Sequence, residues 1–197
     1  MTSRPFVIGV TGPIASGKSS VSRRLAHHGG VILDADLVYR DLIGPGSELT
    51  AAITDRFGKV VLAEDGSINR KALGTIVFSD PAALAELEQI THPAIIAEIK
   101  RRLDALDAPL AVIEAVKLSR GTARFCDETW LVQIDPESLL ERLMARNGIS
   151  RDDAERRIAS QMTYHPSDYT RTVHNNGTID DLNAAVDTAL AMARANS

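Results

Sequence analysis

Gly12-Pro13-Ile14-Ala15-Ser16-Gly17-Lys18-Ser19 satisfies the phosphate-binding template G-x-x-x-x-G-K-[ST] at every specified position. An apolar run, Phe6-Val7-Ile8-Gly9-Val10, enters it and a helical pattern over residues 19–28 leaves it, giving the order strand, loop, helix. In that order successive backbone N–H groups wrap a phosphate at a helix N-terminus, where unpaired donors and the macrodipole both favour negative charge. Gly12 and Gly17 supply backbone freedom and close approach. Ile14, Ala15, Ser16, Gly17, Lys18, Ser19 and Ser20 are the expected nucleotide contacts. Lys18 is placed to neutralise the β- and γ-phosphates of a nucleotide, and the Ser19 hydroxyl to ligand the Mg²⁺ that bridges them. The plainer alternative, a glycine-rich turn that happens to carry Lys-Ser, does not account for the strand before it and the helix after it.

The chain has 197 residues, 44% of them hydrophobic, and no apolar run long enough to span a bilayer, so one principal core and no membrane association are expected. The N-terminus passes into the first strand without a signal-peptide pattern, which predicts a cytoplasmic protein. Cys126 is the single cysteine, excluding an intrachain disulfide and a cysteine-rich metal site, and it reads as a small buried apolar residue. The net charge of −4 argues against a nucleic-acid partner. Basic residues nevertheless concentrate late, at Arg142, Arg146, Arg151, Arg156, Arg157 and Arg171.

Further buried parallel strands are expected at Gly30-Val31-Ile32-Leu33, Leu110-Ala111-Val112-Ile113 and Trp130-Leu131-Val132-Gln133-Ile134, with a short one at Thr172-Val173. The intervening helical patterns favour right-handed crossovers. The expected fold is therefore α/β: a parallel sheet of the P-loop NTPase type flanked by helices, with a helical substrate-binding insertion and a helical lid. Residues 1–36 and 108–197 form the nucleotide-binding core, 37–107 the acceptor-binding insertion and 136–165 the lid. Within the insertion, Asp80-Pro81 and Thr91-His92-Pro93 each read as a helix start, while Gly44-Pro45-Gly46 and Asp65-Gly66 mark turns. Asp135-Pro136 starts a helix that Asn147-Gly148 ends, and Ser150 caps another running to Met162. Disorder is expected only after Met192.

Phosphoryl transfer requires charge neutralisation and positioning, plus a carboxylate to orient the attacking hydroxyl. Asp34 and Asp36 end the second strand, on the same side if the strand persists that far. Asp36 is the candidate base and Asp34 a support for the acceptor or the metal's water shell; the alternative for either is capping of the next helix. Glu114 follows the third strand, where an acid can help hold Mg²⁺ through water. Arg142 and Arg146, four apart on one helix face, are expected to close over the phosphates when nucleotide binds; the alternative is a solvated, salt-bridged face. His92, Tyr39, Arg40 and Arg70 are candidates for an anionic acceptor, with fixing the turn before Pro93 as the alternative for His92.

The chain closely resembles the dephospho-coenzyme A kinases over nearly its whole length. The resemblance is carried by the phosphate loop and its strand, then Asp34-Ala35-Asp36, Phe57-Gly58, Asp65-Gly66-Ser67-Ile68-Asn69-Arg70, Leu73-Gly74, Val77-Phe78 and Ile90-Thr91-His92-Pro93. Later come Arg142-Leu143-Met144-Ala145-Arg146, Arg157-Ile158, Gln161-Met162 and Asn175-Asn176-Gly177. The resemblance implies ATP-dependent phosphorylation of the ribose 3′-hydroxyl of dephospho-CoA; a monomer or weak homo-oligomer is expected. It also implies catalytic roles for Asp36, Lys18 and Arg146, an adenine contact at Asn175, and substrate or phosphate handling by Thr11 and Tyr39. Three departures stand out. Pro13 replaces a common glycine and removes a backbone donor, which predicts weaker phosphate affinity. Val116-Lys117-Leu118-Ser119-Arg120 replaces a Pro-Leu-Leu-x-Glu segment, and residues 170–174 lack the acidic elements usual before the final asparagine. Rival readings are another small-molecule kinase on this scaffold, acting on a nucleoside or nucleotide, and a nucleotide-dependent regulatory protein.

Overall fold

The computed structural model describes residues 4–161 and 163–195, and the chain divides into two compact units. One takes the chain up to Asp34 and from Leu106 onward; the other is Ala35–Ala105. In chain order the elements are β1 (Phe6–Thr11), α1 (Lys18–His27), β2 (Gly30–Asp34), α2 (Ala35–Leu42), α3 (Glu48–Phe57), α4 (Arg70–Val77), α5 (Pro81–Asp104), β3 (Leu110–Glu114) and α6 (Arg120–Ala123). There follow β4 (Glu128–Gln133), α7 (Pro136–Asn147), α8 (Arg151–Ala159), β5 (Arg171–His174) and α9 (Ile179–Ala195).

The first unit is built on a five-stranded parallel sheet in the order β2-β3-β1-β4-β5. β1 is central, with Phe6 opposite Leu110 on one side and Ile8 opposite Glu128 on the other. Its residues Ile8 and Val10 pack on one face with Val21 and Leu25 of α1 and with Val186 and Leu190 of α9. Val7 and Thr11 of the other face are buried too and Gly9 there faces Leu118 and Cys126, so the near-continuous apolar run is that of a strand covered on both faces. The phosphate loop leaves the carboxyl end of this central strand, the edge where open parallel sheets bind ligands. Gly9 leaves room there for two side chains: a Cβ would lie 2.7 Å from Leu118 Cδ2 and 2.8 Å from Cys126 Sγ, which would have to shift. Burial pushes the Cys126 thiol up to about 12, so it acts as a packing group. β4 accommodates the buried Glu128 because Trp130 Nε1 donates to it at 2.6 Å and Arg171 Nη2 at 2.8 Å.

The second unit is helical. Ile43, Ile53, Phe57, Val61, Leu73 and Val77 form its core, with Leu84, Leu87, Ile90 and Ala94 of α5 packed against it. Asp65-Gly66 turns the chain, with the Ser67 N–H donating to Asp65 Oδ1 at 2.9 Å.

Four expectations are corrected. Thr91-His92-Pro93 does not begin a helix: α5 runs from Pro81 to Asp104 with Pro93 inside it, and the Thr91 hydroxyl donates to the Leu87 carbonyl at 2.8 Å instead of capping. Apolar residues before and after the proline bury together, which outweighs the lost backbone bond. Pro93→Ala is accordingly expected to stabilise the protein by about 1–3 kcal/mol, read from urea unfolding midpoints. Asp34 and Asp36 do not share a strand face, because β2 stops at Asp34 and α2 begins at Ala35. α8 ends at Ala159, short of the expected Met162, which lies outside the described residues. The C-terminus is not disordered after Met192: α9 continues to Ala195 because Ala189, Leu190 and Ala193 bury against the sheet core, and only residues 196–197 fall outside the description. No helix among the described residues is long and apolar enough to cross a membrane.

Candidate active site

A cavity of about 540 Å³ opens over the phosphate loop, lined by Ala15, Gly17, Lys18, Ser19 and Ser20 from the loop and α1, and by Arg142 and Arg146 from α7. Arg23, Asn175, Gly177, Ile179 and Leu182 complete it. The loop backbone is tightly wound. Gly12, Ala15 and Gly17 all have positive φ, at 148°, 64° and 99°. A Cβ on Gly12 would stand 2.5 Å from the Val132 carbonyl oxygen, and one on Gly17 would stand 2.2 Å from Asn175 Nδ2. Both glycines are therefore fixed by close approach as well as by conformation. The loop closes through the Ser16 N–H, which donates to the Pro13 carbonyl at 3.1 Å, so the proline that replaces glycine still contributes an acceptor.

Lys18 is buried, its Nζ donating to the carbonyls of Gly12 and Pro13 at 2.9 Å each. The Ser19 hydroxyl donates to Glu114 Oε1 at 2.6 Å, and Glu114 is buried at the end of β3 directly opposite Asp34 of β2. The Ser19–Glu114 pair and Asp34 thus lie at the carboxyl edge of the sheet. Among the described residues no group of three or more His, Cys, Asp or Glu is gathered for a metal. Ser16 Oγ is fully buried and has no hydrogen-bond partner among the described residues.

Arg142 and Arg146 both face the cavity. Arg142 Nη2 donates to the Asn175 carbonyl at 3.3 Å and Arg146 Nε to Asn147 Oδ1 at 3.0 Å. Arg151 and Arg156 instead pair with Glu137, Glu155 and Asp153 on the hairpin's surface, the solvated fate of most helix charges. Three of the expected site residues make contacts within the protein. Asn175, expected against adenine, is buried and donates its amide to the Ser16 carbonyl at 2.7 Å, bracing the loop. Thr11, expected at the substrate, is fully buried and donates to the Val116 carbonyl at 2.8 Å, which also accepts from the Tyr164 hydroxyl at 2.6 Å. Ile14, expected among the phosphate donors, gives its N–H to Gln161 Oε1 at 2.7 Å. Sequence reading missed Arg23, although its helical spacing from Ser19 puts it on the same face of α1.

In the second unit, Asp36 is exposed in the first turn of α2 and Arg70 is exposed at the start of α4. Burial raises the Tyr39 hydroxyl's affinity for its proton, while the charge of Arg70 acts in the opposite sense. His92 lies within α5 and fixes no turn.

The sequence profile of the dephospho-CoA kinase family matches residues 6–181. The chain belongs to this family. It is 42% identical over 187 residues to the dephospho-CoA kinase of Geobacter sulfurreducens, covering 92% of this chain and 95% of that one. Among solved structures it is similar to TT1252 from Thermus thermophilus, with a TM-score of 0.81 and 32% identity over 96% of this chain and 98% of the other. The dephospho-CoA kinase from Campylobacter jejuni superposes with a TM-score of 0.61 at 22% identity over 97% and 98%. A gluconokinase from Sinorhizobium meliloti, at 0.53 and 18% over 98% and 95%, shares the fold. Family membership carries the kinase class, and the parallel sheet with its phosphate loop is the kinase scaffold those structures share.

Proposed function

We propose that this chain transfers the γ-phosphoryl group of ATP to the ribose 3′-hydroxyl of dephospho-CoA, yielding CoA and ADP. The observation that carries this reading is the convergence of Lys18, Arg142 and Arg146 on one cavity above a loop wound for phosphate, in a chain of this family. The loop N–H groups bind the phosphates and the Lys18 ammonium exchanges its carbonyl partners for phosphate oxygens. The two arginines offset charge on the group in flight, where fixed positive charge acts most strongly. Asp36, just past the carboxyl end of β2, orients the acceptor hydroxyl and takes its proton as the new P–O bond forms and the bond to ADP breaks. Tyr39, Arg70 and His92 bind the acceptor through the second unit, which acts as the acceptor-binding insertion.

The Ser19 hydroxyl and Glu114 carboxylate, with Asp34 opposite, are hard oxygen donors and fit Mg²⁺, which takes one or two carboxylates and leaves its other positions to water and phosphate. When bound, Mg²⁺ supplies charge neutralisation across the β- and γ-phosphates. We further propose that the protein is cytoplasmic, acts as a monomer or weak homo-oligomer and engages no nucleic acid.

Arg146→Ala is expected to lower kcat about tenfold while changing the KM for ATP far less, because its charge is needed most in the transition state. Steady-state kinetics at varied ATP check the split. The acceptor is tested by comparing kcat/KM for dephospho-CoA, nucleosides, nucleoside monophosphates, gluconate and shikimate with ATP as donor. Dephospho-CoA should exceed every other acceptor by at least about a hundredfold; preference for any of the others would overturn the assignment.

A further inference from the structure

The tip of the phosphate loop has two features it cannot maintain alone. Ala15 sits at φ 64° without being glycine, a conformation persisting only where the surroundings impose it. The preceding Ile14 N–H has its acceptor, Gln161 Oε1 at 2.7 Å, far away in sequence. Gln161 lies just beyond α8, and its own base is secured: its backbone N–H donates to the Ile158 carbonyl at 3.1 Å and its Nε2 to the Arg157 carbonyl at 3.4 Å. Beside this bond, Ile14 and Ala15 pack against Leu140, Leu143 and Ala154, the core of the α7–α8 hairpin. The hairpin that carries Arg142 and Arg146 therefore holds the loop tip by one hydrogen bond and two apolar side chains.

We propose that Gln161 is a positioning residue for phosphoryl transfer. By fixing the Pro13–Ile14 peptide it sets the loop in its phosphate-binding form before nucleotide arrives, and it joins the loop to the arginines that share the cavity. The proposal rests on reading the loop as the nucleotide site. The opposite idea is that Gln161 mimics a phosphate oxygen and is displaced by nucleotide. Geometry favours the brace: Ala15 and Gly17 line the cavity, whereas Ile14 and Gln161 do not appear among the described residues lining it. The Ile14 N–H is directed at Gln161 Oε1, a group outside the lining of that cavity. Ordering the loop in advance removes that cost from binding, and leaving the N–H without an acceptor would release the tip.

The two ideas predict opposite signs. In nucleotide-free protein, Gln161→Leu should speed hydrogen exchange at the Ile14 amide at least about tenfold, with the Val7 and Ile8 amides of β1 unchanged as a control for folding. Titration calorimetry should show ADP binding weakened about five- to tenfold. Gln161→Ala should repeat both effects, while Gln161→Glu, which keeps an acceptor in place, should restore Ile14 protection. Unchanged exchange, or faster exchange with unchanged ADP affinity, would overturn the positioning role. Tighter ADP binding would overturn it in favour of the displaced mimic. Wild-type protein that fails to bind ADP would contradict the nucleotide reading itself, a result distinct from all of these.

Discussion

Lys18→Ala is expected to reduce turnover by about a thousandfold or more while the fold remains intact. The proposed role belongs to the ammonium, whose Nζ donates to the Gly12 and Pro13 carbonyls at 2.9 Å within the glycine-rich loop. Removing it takes a full positive charge out of a buried site, where charge on a transferring phosphoryl group is screened least. Folding should survive because α1 is anchored by Val21 and Leu25 in the sheet core, independently of Lys18. Steady-state rates, with circular dichroism as the control for folding, check the prediction. A folded variant with near-wild-type turnover would contradict the phosphate-loop assignment.

Asp36→Asn is expected to leave ATP binding within about twofold of wild type and to lower kcat about a hundredfold or more. The substitution keeps side-chain volume and removes the proton acceptor. Asp36 is exposed in the first turn of α2, where a carboxylate's interaction with the helix dipole is worth about 0.3–1 kcal/mol, so loss of that dipole interaction alone does not account for an effect of the expected size. Binding by calorimetry and rate at saturating substrates separate the roles. Collapse of ATP affinity with turnover preserved would make Asp36 a metal-site residue and move the base elsewhere.

Where residues act on near neighbours in sequence, the structure was legible. The runs leading into β1, β2, β3 and β4 carry their burial in composition, and the glycines of the loop, Gly12 and Gly17, carry their φ in residue type. Asp80 as the cap of α5 and Ser150 as the cap of α8 were readable because the capping bond spans only a few residues. Pro93 misled because a local breaker was set against burial of one face with residues distant in sequence. Asp34 and Asp36 misled because strand alternation was extended across a boundary that the backbone turns into helix.

The site divides the same way. Lys18, Ser19, Arg142 and Arg146 stand out by spacing in the sequence, and the structure gathers all four around one cavity. Asn175 bracing Ser16 and Gln161 holding Ile14 bridge segments far apart in the chain, and nothing in their local sequence names the partner. Arg23 could have been found, since one helical turn from Ser19 places it on the cavity face.

The most direct test of the central claim is to incubate the purified protein with Mg-ATP and dephospho-CoA and identify the product by mass spectrometry with fragmentation. The account predicts a single added phosphoryl group on the ribose 3′-hydroxyl, forming in step with ADP and absent with Lys18→Ala. ADP released without a phosphorylated acceptor, or a phosphoryl group attached elsewhere on the molecule, would contradict it.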